Sequence, residues 1–402
     1  MNTMKRSLLL AAFAAAGMCA CTQSPQNTIE GHIDGLQKGD RIVLATGTLT
    51  QTPVPTDSTV VTQDGNFVLK TSATDTYACL LLLKPGEKLD PANNPSAGLF
   101  LEGYADLKAE GNTEDWRYLQ FSGGLYSLPA MKEINELTAK GQSIQKKGMS
   151  VMTAARAYAA QEGYDPDSLK AMQEKGMALF KESNGLFAQR KPLESELAKN
   201  NPDMAYSAEI LHYDYDMMKD FEKYDSTFLA LSPRVQASPA GKAVADYITA
   251  KKSTEIGATA PEFALEDIDG NMLRLSDLRG KYVLVDFWGT WCGPCRASTP
   301  SLVELYGKLK DKNFEMVSIA TNERSDDYWK KVIEDEHMTW RHLNDSHSAV
   351  GKEIQPAYAV MGVPSCFLIG PDGKIVLKGH PMGILGQVEE TVVSAFDAAN
   401  QK

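Results

Sequence analysis

The segment DFWGTWCGPCR, Asp286 to Arg296, sets two cysteines with two residues between them in a chain of 402 residues with six cysteines in all. Three chemistries use such a pair: metal ligation, a structural disulfide, and reversible thiol–disulfide exchange. A structural zinc site needs four ligands, and no second Cys-x-x-Cys follows. His337, His342 and His347 recur every five residues, a spacing that does not gather them on one helix face. A permanent disulfide across one helical turn closes a very short loop and contributes little stability. Exchange chemistry remains. Cys292 falls where an apolar strand gives way to a helix, so the free N–H groups and positive dipole end of that helix stabilise its thiolate. The thiolate is the attacking species in exchange. Cys295 lies one turn further in and can close on a mixed disulfide to release the substrate. Gly293 and Pro294 shape the turn, and Pro at a helix start sacrifices no hydrogen bond.

A strand, a turn and a helix must hold these residues, and the last third of the chain supplies that pattern. YVLVDFW reads as a buried strand, CRASTPSLVELYGKLK as a helix, NFEMVSIAT as a strand and SDDYWKKVIEDEH as a helix. SCFLIG-PDG-KIVLKGH follows as a hairpin, and a helix closes the chain. This order predicts one α/β domain over 256–402. Residues 29–121 alternate in short apolar runs between Gly, Asp and Pro turns, which predicts a small antiparallel β domain. Within it QDGNF is a hairpin signal, and Asp90–Gly98 reads as a surface loop. Residues 122–255 turn to Ala, Lys, Glu and Met with apolar spacings of three and four, a helical region broken at Pro202, Pro233 and Pro239. The Met and Tyr residues of HYDYDMMKDF there read as helix core.

The stretch VLVDFWGTWCGPCRASTPSL, with GATAPEFALEDIDGNMLRLSDLRGKY before it and MGVPSCFLIGPDGKIV after it, resembles the thioredoxin superfamily in its membrane-tethered TlpA/ResA-like branch. The resemblance implies an α/β thioredoxin fold for the C-terminal domain, with Cys292 as nucleophile and Cys295 as buried resolving thiol. It also implies a cis proline at Pro364 flanking the pair. Val363 and Pro364, with Trp291, Gly293 and Pro294, then form the edge that receives a substrate chain. Asp286, six residues before Cys292, matches the buried aspartate of thioredoxin itself. Desolvation there raises its pKa and lets it move the proton of Cys295. Two departures stand out. The branch often carries an acid shortly after the second cysteine, where this chain has Ser298. Cys366 stands where the family usually has Thr or an aliphatic residue, and reads either as a third redox thiol or as a small apolar filler. Cys79 reads as filler, Trp288 as packing beneath the site. The β region is similar to an N-terminal domain of unknown function found ahead of redox domains in bacterial lipoproteins, which implies no activity.

At the N-terminus, Lys5 and Arg6 precede the uncharged run SLLLAAFAAAGM and then Cys19 and Cys21. A basic start and an apolar run of this length predict a secretory signal over 1–20, too short for a permanent membrane span. The run resembles a bacterial lipoprotein signal, which implies lipidation of Cys21 and a chain held by lipid facing the periplasm, where disulfides form; the alternative is a soluble secreted chain cut near Ala20. The polar, Pro-containing stretch after Cys21 reads as a tether over 21–28. The net charge of −11 argues against a nucleic-acid partner. No GxGxxG nicotinamide fingerprint follows a strand, and a reductase of this kind needs an electron source, which implies a thiol carrier. The expected partners are therefore protein disulfides as substrates and a membrane-embedded thiol donor. No metal and no cofactor are expected beyond the Cys292–Cys295 disulfide. The Gly-Pro dipeptide resembles that of reducing thioredoxins and points to a reductase. Two other functions compete. APEFALEDIDG and LSDLRGKYVLVDFW also resemble peroxiredoxins, which would make the chain a thiol peroxidase, although those place a lone attacking cysteine after a Pro-x-x-x-Thr pattern. The third is an envelope binding lipoprotein with a redox-regulated partner site. The helical region is expected to space the redox domain from the membrane or to mediate self-association.

Overall fold

The structure is a computed structural model that describes residues 24–47, 53–90, 94–214 and 217–401. The signal segment 1–20 and Cys21 lie outside the described residues, as does part of the 90–98 loop. The chain divides into two compact units between Tyr206 and Ser207.

The first unit begins with β1 (Asn27–Asp34), β2 (Arg41–Gly47), β3 (Val54–Val60), β4 (Asn66–Thr71), β5 (Thr76–Leu83), β6 (Ser96–Leu101), β7 (Asp106–Asn112) and β8 (Gln120–Ser122). They form two four-stranded sheets, ordered β4-β1-β7-β8 and β3-β2-β5-β6. All pairs are antiparallel except β1 with β7, which run parallel. β1 starts inside the stretch read as tether, and Ser96–Gly98, read as loop, pair with Leu81, Leu80 and Cys79 as the opening of β6. The Asp-Gly turn forms, with Gly65 at φ +79°. The strands on either side enter different sheets, so it is a passage between sheets rather than a hairpin.

The helical stretch comprises α1 (Pro129–Ala159), α2 (Pro166–Asn200), α3 (Ala205–His212), α4 (Phe221–Leu229), α5 (Pro233–Gln236) and α6 (Pro239–Ser253). α1 and α2, in the first unit, pack antiparallel: Gly141 lies against the ring of Phe187 and Gly148 against that of Phe180, where a larger residue would hold the axes apart. The Ser183 hydroxyl donates to the Gly141 carbonyl at 2.9 Å across this seam. Pro233 and Pro239 each open a helix in the second unit, at positions whose N–H has no intrahelical partner anyway. Met218 and Tyr224 are buried there among Val235, Val244 and Ile248.

The rest of the second unit carries β9 (Ala264–Glu266), β10 (Met272–Arg274), β11 (Tyr282–Trp288), α7 (Gly293–Leu309), β12 (Phe314–Ala320), α8 (Asp326–Asp335) and β13 (Arg341–Asn344). It ends with α9 (Ala349–Lys352), α10 (Ile354–Ala357), β14 (Ser365–Ile369), β15 (Ile375–Gly379) and α11 (Pro381–Asn400). Five strands form a mixed sheet ordered β13-β12-β11-β14-β15. β11 is central, parallel to β12 and antiparallel to β14. Its run of apolar residues is buried on both faces, as a central strand covered by helices requires. Period two then sorts its side chains. Leu284 and Trp288 join the core with Leu302 and Leu305 of α7, Trp329 of α8 and Val388 of α11. Val283, Val285 and Phe287 join Phe263, Leu275 and Tyr358 on the other face. Asp286 falls on the α7 side by the same alternation.

Candidate active site

β11 ends at Trp288, and four residues later Cys292 caps α7. Its sulfur accepts the backbone N–H of Cys295 at 3.1 Å, and the two cysteines are joined by a disulfide with Cα atoms 5.3 Å apart. The carbonyl oxygen of Val363 lies 3.7 Å from the same sulfur. In the disulfide that sulfur has no hydrogen to give; once reduced, the thiol can donate to this carbonyl. The Val363–Pro364 peptide is cis, and Pro364 offers no N–H. Cys292 and Cys295 are both buried, while Trp291, Gly293 and Pro294 are exposed and Val363 and Pro364 half-buried around them. The structure thus gathers at one surface the residues predicted to receive a substrate chain.

The loop that carries Cys292 is fixed by residues the sequence reading did not single out. Trp291 is 57% exposed, yet its indole N–H donates to the Thr321 carbonyl at 2.9 Å. Glu323 accepts from both the backbone N–H and the hydroxyl of Thr290, at 2.6 and 2.7 Å. On the first turn of α7, Arg296 pairs with Glu336. Ser298, where the branch often has an acid, donates its hydroxyl to the Cys295 carbonyl at 2.8 Å, a purely local bond.

On the α7 side of β11, Asp286 is almost fully buried. The strand register sets it opposite Ser318 on β12 and Cys366 on β14. The Ser318 hydroxyl donates to its Oδ2 at 3.0 Å and the Cys366 thiol to its Oδ1 at 3.3 Å. The Trp340 indole N–H donates to Ser318 Oγ at 2.8 Å, which leaves the Ser318 hydrogen free for the carboxylate. Burial pushes the Asp286 carboxyl up to about 6, and the bonds from Cys366 and Ser318 pull partly against that rise. Burial and the neighbouring carboxyl push the Cys366 thiol well above its usual range, so it stays protonated. Cys366 is thus a buried strand residue, but one whose sulfur holds a polar bond rather than only filling space. Ser318, Trp340 and Glu323 went unremarked in the sequence because each reaches a partner more than twenty residues away.

The three spaced histidines sit apart, as their spacing implies. His342 is buried on β13, pushed down to about 4 by burial, with Nε2 3.0 Å from the Met338 carbonyl. His347 meets Asp326 at 2.7 Å, and His337 follows α8. Among the described residues no three His, Cys, Asp or Glu side chains cluster so as to hold a metal ion. Cys79 lies buried on β5 in the first unit.

A helix-capping Cys-Gly-Pro-Cys disulfide beside a cis proline, on a mixed sheet covered on both faces, defines a thioredoxin-fold protein of thiol–disulfide exchange. Residues 256–378 match the AhpC/TSA family, and residues 27–125 match a domain of unknown function, DUF4369. The thiol-disulfide oxidoreductase ResA of Bacillus thuringiensis is 36% identical over 136 residues, which are 33% of this chain and 76% of that protein. ResA of Bacillus subtilis is 35% identical over 127 residues, 31% of this chain and 68% of that protein. The thioredoxin domain of a thiol-disulfide oxidoreductase from Bacteroides vulgatus is 36% identical, with 34% of this chain and 98% of that one covered at a TM-score of 0.31. The chain belongs to the ResA-like thiol-disulfide oxidoreductases and is an oxidoreductase enzyme.

Proposed function

We propose that this enzyme is a lipid-anchored protein of the cell envelope that reduces protein disulfides by the Cys292–Cys295 dithiol. The observation that carries the reading is the seat of Cys292, capping α7 with its sulfur on the Cys295 N–H and bordered by exposed Trp291, Gly293 and Pro294. There the helix end stabilises a thiolate while the rim leaves a path for a substrate disulfide. The Cys292 thiolate attacks one sulfur of that disulfide, and the other sulfur leaves as a thiolate. Cys295 gives its proton to the Asp286 carboxylate and attacks Cys292 Sγ, expelling the second substrate thiolate. The enzyme is left with its disulfide, and the substrate has gained two electrons. Asp286 suits the step because a carboxyl that ionises at about 6 still accepts a proton near neutral pH.

The dithiol is restored by an external dithiol, for which a membrane-embedded thiol carrier is the fitting donor. Residues 1–20 as a signal and Cys21 as the lipidated residue support the envelope setting. The helical stretch spaces the redox domain from the membrane or joins copies of the chain. The test is alkylation trapping of Cys292 and Cys295 in intact cells, with Cys292→Ser as control. A mostly reduced pair supports the reductase; a mostly oxidised pair overturns that direction. The AhpC/TSA match favours a second reading, a thiol peroxidase. In it the Cys292 thiolate takes one peroxide oxygen as a sulfenic acid with loss of water, and Cys295 then forms the disulfide with loss of a second water. Turnover of hydrogen peroxide against turnover of a protein disulfide separates the two.

A further inference from the structure

Cys366 lies at the middle of the sheet, out of reach of solvent and of any substrate, and the exchange steps above make no use of it. Its one polar contact among the described residues is the bond to Asp286 Oδ1 at 3.3 Å. The other carboxyl oxygen is taken by Ser318, and Ser318 is held as a donor because its own oxygen receives the Trp340 indole N–H. Among the described residues the carboxyl therefore has one donor per oxygen, each from a neighbouring strand, and no ionic partner in contact. A thiol is the weaker of the two donors, since S–H bonds are poor compared with O–H bonds.

We infer that Cys366 is a positioning residue for the exchange reaction: its thiol holds the Asp286 carboxylate and sets the pH at which that group accepts the resolving proton. The inference rests on the reading that Asp286 takes the proton of Cys295. A hydrogen bond given to a carboxylate stabilises the charged form, so the strength of the donor at position 366 orders the acidity of Asp286. The titratable groups on this face of the sheet are few. They are Cys366 on β14, His342 on β13 beside Ser318, Cys292 and Cys295 on α7, and the phenols of Tyr306 on α7 and Tyr282 on β11 at the margin of the cluster. His342 is held neutral above about 4 by its burial. Among the described residues no charged side chain competes with the two donors for control of the carboxyl.

The test follows the single-turnover oxidation of the reduced full-length protein by insulin, a protein disulfide, through tryptophan emission across the pH range. The wild-type rate falls on an acid limb centred near 6, where Asp286 protonates. Cys366→Ala removes the donor and moves that limb up by about one pH unit. Cys366→Ser supplies a stronger donor of similar size and moves it below the wild-type position. If Cys366→Ala fails to fold, the Ser variant against wild type decides alone. Superimposed limbs in all three proteins overturn the inference. So does a uniform loss of rate at every pH that serine does not repair, since that reports packing alone. Asp286→Asn is measured alongside. If it abolishes the limb while the Cys366 variants leave the limb unmoved, the role of Cys366 is wrong and that of Asp286 stands. If the limb persists in Asp286→Asn, both fall.

Discussion

Replacing Asp286 with Asn should stabilise the redox domain at high pH and not at low pH. The folded carboxyl ionises at about 6 against an ordinary value of 3.8. The native state therefore binds its proton more tightly than the unfolded chain between those two values. Stability is full below 3.8, declines as pH rises through the window, and above 6 lacks the whole difference, about 3 kcal/mol. This is the reverse of an ion-paired carboxylate, because burial here opposes the charge. Asn carries no charge at any pH but can accept only one of the two bonds given by Ser318 and Cys366, a loss of about 1 kcal/mol. The variant should then be more stable than wild type by about 2 kcal/mol at pH 8 and less stable by about 1 kcal/mol at pH 4. His342 titrates with the opposite slope, its folded value near 4 lying below the ordinary 6.5, so stability from that group is lost as pH falls between them. The two proteins must therefore be compared at the same pH, where the His342 contribution cancels. Denaturant unfolding followed by tryptophan emission reads the right unit, because four of the five tryptophans, Trp288, Trp291, Trp329 and Trp340, lie in it. A stability difference that stays the same at pH 4 and pH 8 would refute the claim that burial penalises this charge.

Other expectations concern the rim and the anchor. Cys295→Ser should accumulate a mixed disulfide between Cys292 and a protein substrate, seen as a reductant-sensitive band on a gel, and Cys292→Ser should accumulate none. A methyl group at Gly289 would stand 2.6 Å from the Trp291 indole nitrogen, so Gly289→Ala should displace that ring from the Thr321 carbonyl and slow protein-disulfide reduction roughly tenfold. Unchanged rate and Trp291 emission would mean that the ring has no part in receiving substrate. Glu323→Ala removes both bonds to Thr290 and should lower stability by about 2 kcal/mol, measured by denaturation, with a larger loss in kcat/KM than in the solvent exposure of the other tryptophans. Cys21→Ser should shift the protein from the membrane fraction to the soluble fraction and end incorporation of a labelled fatty acid; persistent sedimentation with membranes would count against the lipid anchor.

What could be read from the sequence is what depends on near neighbours along the chain. Cys292 and Cys295 are one turn apart, the strand before them is continuously apolar, and a cysteine at a strand-to-helix junction meets a helix dipole whatever surrounds it. The prolines that open α5 and α6 act within one turn in the same way. The Asp-Gly turn at 64–65 was legible too, but not the sheets its flanking strands would join, since pairing partners are chosen by the whole fold. The same distinction runs through the site. The bond from Ser318 to Asp286 spans 32 residues, that from Cys366 spans 80, and the clamp of Glu323 on Thr290 spans 33. The first two exist only because β12 and β14 flank β11 in one register, where a slip of a single residue would turn each side chain to the other face; the third joins the loops that follow β11 and β12. The sequence by itself determined that two thiols stand at a helix start, able to attack and to close. The buried carboxyl, Asp286, was also legible from its place on the strand before them; the tertiary structure alone decided which hydroxyl, thiol and indole hold it.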